Sequence, residues 1–284
     1  MSYWRFAGMI ATSTLVMFGL MYLNTFLVTH VFFSETRAYM AVLMGGVMAI
    51  IMLVFMLSMY ANRALNAAIF IGAAVVITGS LWLVRSQATV GDVNFMRAMI
   101  PHHSIAIMTS SRANIEDSRV RKLADEIVYA QDKEIAEMRY LVSRIEEEGP
   151  QESAAGNEEP ASVLSVEQAV TSPKIATMDV ELLDASEIER VFPEGAECSF
   201  SFTTQSPASL AIGETGNGRA ALVKIAGNLV SLAAGDNAGR FSAPGMTADL
   251  EELPEGRWRA DTRLTIELDR GLSAGYDGFS DCRE

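Results

Sequence analysis

Three stretches without a charged residue open the chain: residues 6–28, 39–60 and 64–84, of 23, 22 and 21 residues. At about 1.5 Å per residue, about 20 residues cover a hydrocarbon core, so each stretch predicts a membrane-spanning helix. Arg5, Arg37, Arg63 and Arg85 bracket the stretches, and Tyr3, Trp4, Tyr39, Tyr60 and Trp82 lie near their ends, as interfacial side chains do. The first stretch is longer than the apolar core of a signal peptide, and no small-x-small cleavage site follows it, so it reads as a retained helix.

Beyond residue 88 the period becomes helical. Asp92, Met96, Met99 and His103 fall on one stripe, while His102 points about 100° away from His103. Pro101 lacks a donor and clashes with the preceding turn. It either kinks this helix or opens a second one at its first position. A polar break at 114–118 follows, with Asp117 or Ser118 as N-cap, and then a helix over about 119–147. Its apolar stripe, through Ile127, Met138, Leu141 and Ile145, also passes through Gln131 and Glu134. Polar groups on a buried stripe need partners, so these two are internal hydrogen-bonding residues or supports of a site. Residues 149–176, rich in Glu, Ser, Ala, Gly and Pro, read as a disordered acidic linker. From about residue 177 short strands alternate polar and apolar positions between Gly- and Asn-containing turns.

The pattern therefore predicts a multidomain membrane protein. Residues 1–87 form a three-span anchor, 88–148 a helical hairpin and 149–176 the linker. Residues 177–284 form an all-β domain, sandwich or barrel. Two helices alone bury too little to be stable, so the hairpin is expected to pair in a homodimer or higher oligomer.

Charge sharpens this division. Residues 1–90 carry four Arg against one acid, residues 91–150 net −3, and residues 151–284 the remaining −13. A single soluble domain is excluded, and nucleic-acid binding is not expected without a basic footprint. The anchor's positive charges divide almost evenly between its two sides, so orientation rests on Cys198 and Cys282. Two cysteines near the ends of one small domain suit a disulfide in an oxidising compartment; two unpaired buried thiols are the alternative. The disulfide reading places the N-terminus in the cytoplasm and the C-terminal domains in the periplasm of a bacterial inner membrane.

Methionine adds candidate chemistry, since 13 of the 16 lie at or before residue 108. Met40, Met44, Met48, Met52, Met56 and Met59 form a ladder in the second stretch. Thioethers suit Cu(I), but flexible apolar packing beside Gly45 and Gly46 explains the ladder better. His30, at the outer end of the first stretch, reads as an interfacial residue. His102 and His103, with Met99 and Met96 or Met108 beside them, could form a small soft site, since imidazole and thioether together favour copper. The β-rich domain has no His, which excludes a His-based catalytic triad there, and no enzyme activity is expected.

The run Phe95…Met99-Ile100-Pro101-His102-His103-Ser104…Ala106-Ile107, with Asp92 before it, resembles the domain-of-unknown-function 305 family. So do Val120-Arg121…Leu123-Ala124…Ile127 and Gln131…Glu134-Ile135…Met138 after it. The resemblance covers about residues 88–145. It implies a ferritin-like half-bundle, with copper-binding, copper-tolerance proteins among its members. It carries over Met99, His102, His103, Glu134 and Met138 as site positions. Two departures argue against high-capacity storage: Thr109 stands where many members have Met, and extra Met-His clusters are few. The expectation is a membrane-anchored periplasmic copper-binding protein with one modest site. The alternative is an envelope scaffold or partner-binding protein whose His pair is structural.

Overall fold

The computed structural model describes residues 2–151, 180–235, 237–254, 258–269 and 273–283. The expected linker, from residue 152 on, lies outside the described residues. The chain forms two compact units, one up to Gln131 and one from Asp132.

The first unit begins with α1 (Tyr3–Leu20), α2 (Glu35–Phe55) and α3 (Arg63–Ser86). Ser34 caps α2, its side chain accepting from the Arg37 N–H, and Asn62 caps α3 by accepting from Leu65 at 3.0 Å. Phe6, Leu53 and Tyr60 are buried together, with Met52 and Met56 packed against them. A Cβ on Gly45 would strike the Thr14 hydroxyl of α1, and one on Gly46 would lie 2.9 Å from Ile77 of α3. Glycine at both positions is what lets the three helices approach.

Among the described residues two helices, α2 and α3, are long and apolar enough to cross a membrane. The expected third span is not among them. At 18 residues, about 27 Å long by helical rise, α1 stops at Leu20 rather than near 28 and carries Arg5 in its first turn. The chain then bends into a short 3-10 turn, Val28–His30. The methionine ladder is interrupted too: α2 ends at Phe55, Met56 is its C-cap, and Met59 belongs to the separate turn Leu57–Met59.

Helix α4 (Asp92–Arg112) and the long helix α5 (Ser118–Glu148) follow. Asp117 caps α5, accepting from the Arg119 backbone N–H at 2.8 Å. The division between the units falls inside α5.

The second unit is a closed antiparallel barrel. Strands β2 (Cys198–Ser201), β3 (Ala208–Thr215), β4 (Gly218–Ile225), β5 (Asn228–Ala234), β6 (Arg240–Ala243), β7 (Met246–Glu252), β8 (Thr262–Leu268) and β9 (Ser273–Cys282) each pair with the next, and β9 returns to β2. The short β1 (Val180–Glu181) adds to β4. Closure leaves the barrel proper without edge strands. Phe200 faces Leu210, Leu210 faces Val223, and Leu264 faces Tyr276; all five are buried. The opposite face of β3 and β4 is also buried, because Ala211 and Leu222 pack against Leu183 and Phe192 beside α6 (Ala185–Val191). Cys198 and Cys282 are register partners across the β2–β9 seam and form the expected disulfide.

A second outer face, on β8 and β9, holds the end of α5. The Tyr140 ring lies where a Cβ on Gly275 would be, and Ser143 donates to Asp277 Oδ2 at 2.9 Å. Asp277 also accepts from Arg263 Nε at 2.8 Å and Nη2 at 3.2 Å, and the Arg263 guanidinium lies over the Tyr140 ring. Ile135, Ala136 and Val142 on the same part of α5 are buried.

Candidate functional site on helix α4

Helix α4 runs unbroken through Pro101. Proline has no N–H to give the carbonyl one turn earlier, that of Arg97, yet no second helix starts there. Met96, Ile100, Ser104 and Ile107 form the buried face, at steps of four, four and three. Met99 and His103 lie half-buried beside that face, and His102 is exposed.

Ser104 is the polar member of the buried face. Its hydroxyl accepts from the Phe26 N–H at 2.8 Å and lies 2.9 Å from His30 Nδ1. With the oxygen already accepting, the hydroxyl proton is available for that nitrogen. His30 is therefore an anchor and not an interfacial residue, being 0% exposed. It ties the connection between α1 and α2 to the residue next to His103. At the start of α4, Asn94 donates to Glu35 Oε1 at 2.6 Å. These two ties fix α4 within its unit. A serine on an otherwise apolar stripe was the sequence signal for the first of them.

The rings of His102 and His103 have centres 5.9 Å apart and planes tilted by 58°. Two imidazoles on one ion, with metal–nitrogen distances of about 2.0–2.1 Å, place their ring centres about 5–6 Å apart. The pair thus has the span of a shared ion. Met99 lies three residues before His102 and four before His103, spacings that bring side chains together on a helix. Among the described residues no three His, Cys, Asp or Glu side chains gather to hold a metal. Met96 and Met99 are the thioethers within two turns before the pair on α4. Glu134 and Met138 are half-buried, one turn apart on α5, and belong to the barrel unit.

A Pro–His–His segment on helix α4, with a closed barrel later in the chain, marks this protein. The chain belongs to the DUF305 family: residues 92–192 match Domain of unknown function (DUF305), from α4 through α6. Residues 146–284 match Domain of unknown function (DUF6692). The chain is also 32% identical over 106 residues to Uncharacterized protein L153 of Acanthamoeba polyphaga mimivirus, a match spanning 37% of this chain and 68% of the relative. No solved structure matches it.

Proposed function

We propose that this is a membrane-anchored copper-binding protein whose α4 holds one Cu(I) ion and contributes to copper handling or tolerance. The observation that carries the reading is the 5.9 Å span of the His102 and His103 rings, with a thioether one turn back. His102, His103 and Met99 would bind the ion, with Met96 behind them. These donors lie on α4. Zinc is disfavoured because its sites are usually completed by thiolate, carboxylate or further imidazole. Family resemblance supports the same reading.

The membrane is a bacterial inner membrane, with α2 and α3 as its spans. The Cys198–Cys282 disulfide suits the periplasmic face for the barrel. With two spans the N-terminus shares that face. A cytoplasmic N-terminus requires α1 to cross as a third. Phe95, Val120 and Leu123 on α4 and α5 are about half exposed, which supports pairing of the hairpin with a second copy.

Anaerobic Cu(I) titration of the full-length protein in detergent, against a competing chelator, tests the proposal. One ion per chain is expected, with affinity falling by more than about 100-fold in the His102→Ala/His103→Ala double variant. Equal binding by that variant would leave the His pair a structural feature and the scaffold reading in its place.

A further inference from the structure

The connection between α1 and α2, residues 21–34, is inside out for a segment bathed in water. Leu23, Val28 and Phe33 are 77%, 76% and 63% exposed, and Asn24 is the only other exposed residue in it. Its polar side chains turn inward instead. His30 and Ser34 are buried, as is the Thr29 hydroxyl, and the Thr25 hydroxyl donates to the Tyr22 carbonyl. No Asp, Glu, Lys or Arg stands between Arg5 and Glu35. Water favours the reverse arrangement, with polar groups outward and large apolar side chains withdrawn.

The backbone of the connection is satisfied from within. The Phe26 N–H donates to the Ser104 hydroxyl at 2.8 Å, and the Ser34 N–H donates to the Tyr22 hydroxyl at 3.0 Å. The N–H groups of Thr25, His30 and Val31 donate to the carbonyls of Tyr22, Leu27 and Val28 at 3.2, 3.1 and 3.0 Å. Arg37 Nη1 donates to the Met21 carbonyl at 2.7 Å. Irregular backbone tolerates a hydrocarbon surrounding only when its polar groups are paired in this way.

We propose that residues 21–34 are a lipid-facing platform: their outer face, through Leu23, Val28 and Phe33, lies among the acyl chains of the bilayer, and their inner face carries α4.

The proposal rests on reading α2 and α3 as membrane spans. Phe33 stands two residues before α2 begins at Glu35, so the platform is continuous with the end of a span. Acyl chains are the partner this face fits, because apart from Asn24 it offers no exposed charge or hydrogen-bonding side chain. Immersion by about 5–10 Å, the depth of an interfacial apolar face, would cover it. On the inner side, Ser104 of α4 meets Phe26 and His30, and the Arg112 guanidinium lies over the Phe26 ring. The bond from Asn94 to Glu35 ties α4 to the first residue of the span. The His pair, adjacent to Ser104, is thereby held beside the membrane surface.

Nitroxide labels on Leu23→Cys, Val28→Cys and Phe33→Cys, introduced one at a time into the full-length protein in phospholipid nanodiscs, test this. Val75→Cys on α3 is the bilayer reference, and Glu116→Cys, between α4 and α5, is the water reference. Collisions with dissolved oxygen, which concentrates in the bilayer, are compared with collisions with a water-soluble nickel chelate. The oxygen-to-nickel ratio at the three platform positions should be several-fold above that of Glu116→Cys and approach that of Val75→Cys. Ratios matching Glu116→Cys, with Val75→Cys still oxygen-rich, would overturn the platform and leave the spans standing. A water-like ratio for Val75→Cys as well would overturn the span reading and the platform with it. Few collisions with either reagent at the platform positions would mean that protein covers this face, and would also overturn the proposal.

Discussion

Replacing Cys198 and Cys282 by serine should lower the barrel's unfolding free energy by about 4–5 kcal/mol, the chain-entropy value for a closed loop of 84 residues. The topology explains why the effect should approach that value. Seven of the eight neighbouring pairs in the barrel join strands consecutive in sequence. The eighth, β2 with β9, joins the first strand to the last through a ladder from Cys198–Cys282 to Ser201–Phe279. That seam alone must be closed across the whole domain, and the disulfide closes it in advance. Urea unfolding of the full-length protein in detergent, with and without reductant, measures the difference. A loss below about 1 kcal/mol would show that the seam holds without its covalent link.

Arg263→Met should cost about 3–5 kcal/mol, because it strands a buried carboxylate. Asp277 is 2% exposed and takes both of its charge-assisted bonds from Arg263. Arg263 is itself 7% exposed, with Glu147 3.9 Å away and Tyr140 under its guanidinium. Burial works to lower the Arg263 pKa, but the hydrogen bond and charge of Asp277, helped by Glu147 and Tyr140, hold it above its ordinary value. The double change Arg263→Met/Asp277→Leu should recover most of the loss, since an apolar pair leaves no charge uncompensated. Thermal unfolding of the two variants separates the cases: equal destabilisation would mean that the pair stabilises through packing and not through charge.

Local pattern made much of this fold legible. Uncharged runs located α2 and α3, and the turn at Gly216-Asn217 joins β3 to β4 where expected. The Asp117 cap, the start of α5 and the disulfide also followed from sequence. What escaped depends on partners distant in the chain. Ser104 meets His30 across 74 residues, and Ser143 meets Asp277 across 134. Arg139 looks like a solvated helix position until β9 brings Phe279 beneath it. The end of α1 was missed because an uncharged run fixes how far a helix can extend, not where it stops. At the candidate site, the stripe reading joined Met99 and His103 to Met96, whereas it is Ile100, Ser104 and Ile107 that share the buried face with Met96.

X-ray absorption of the Cu(I)-loaded full-length protein tests the copper claim most directly. The predicted first shell combines imidazole nitrogens, seen through their multiple scattering, with at least one sulfur. The imidazole signal should vanish in His102→Ala/His103→Ala and the sulfur should weaken in Met99→Leu. A shell without imidazole or sulfur, or one unchanged in both variants, would contradict the account.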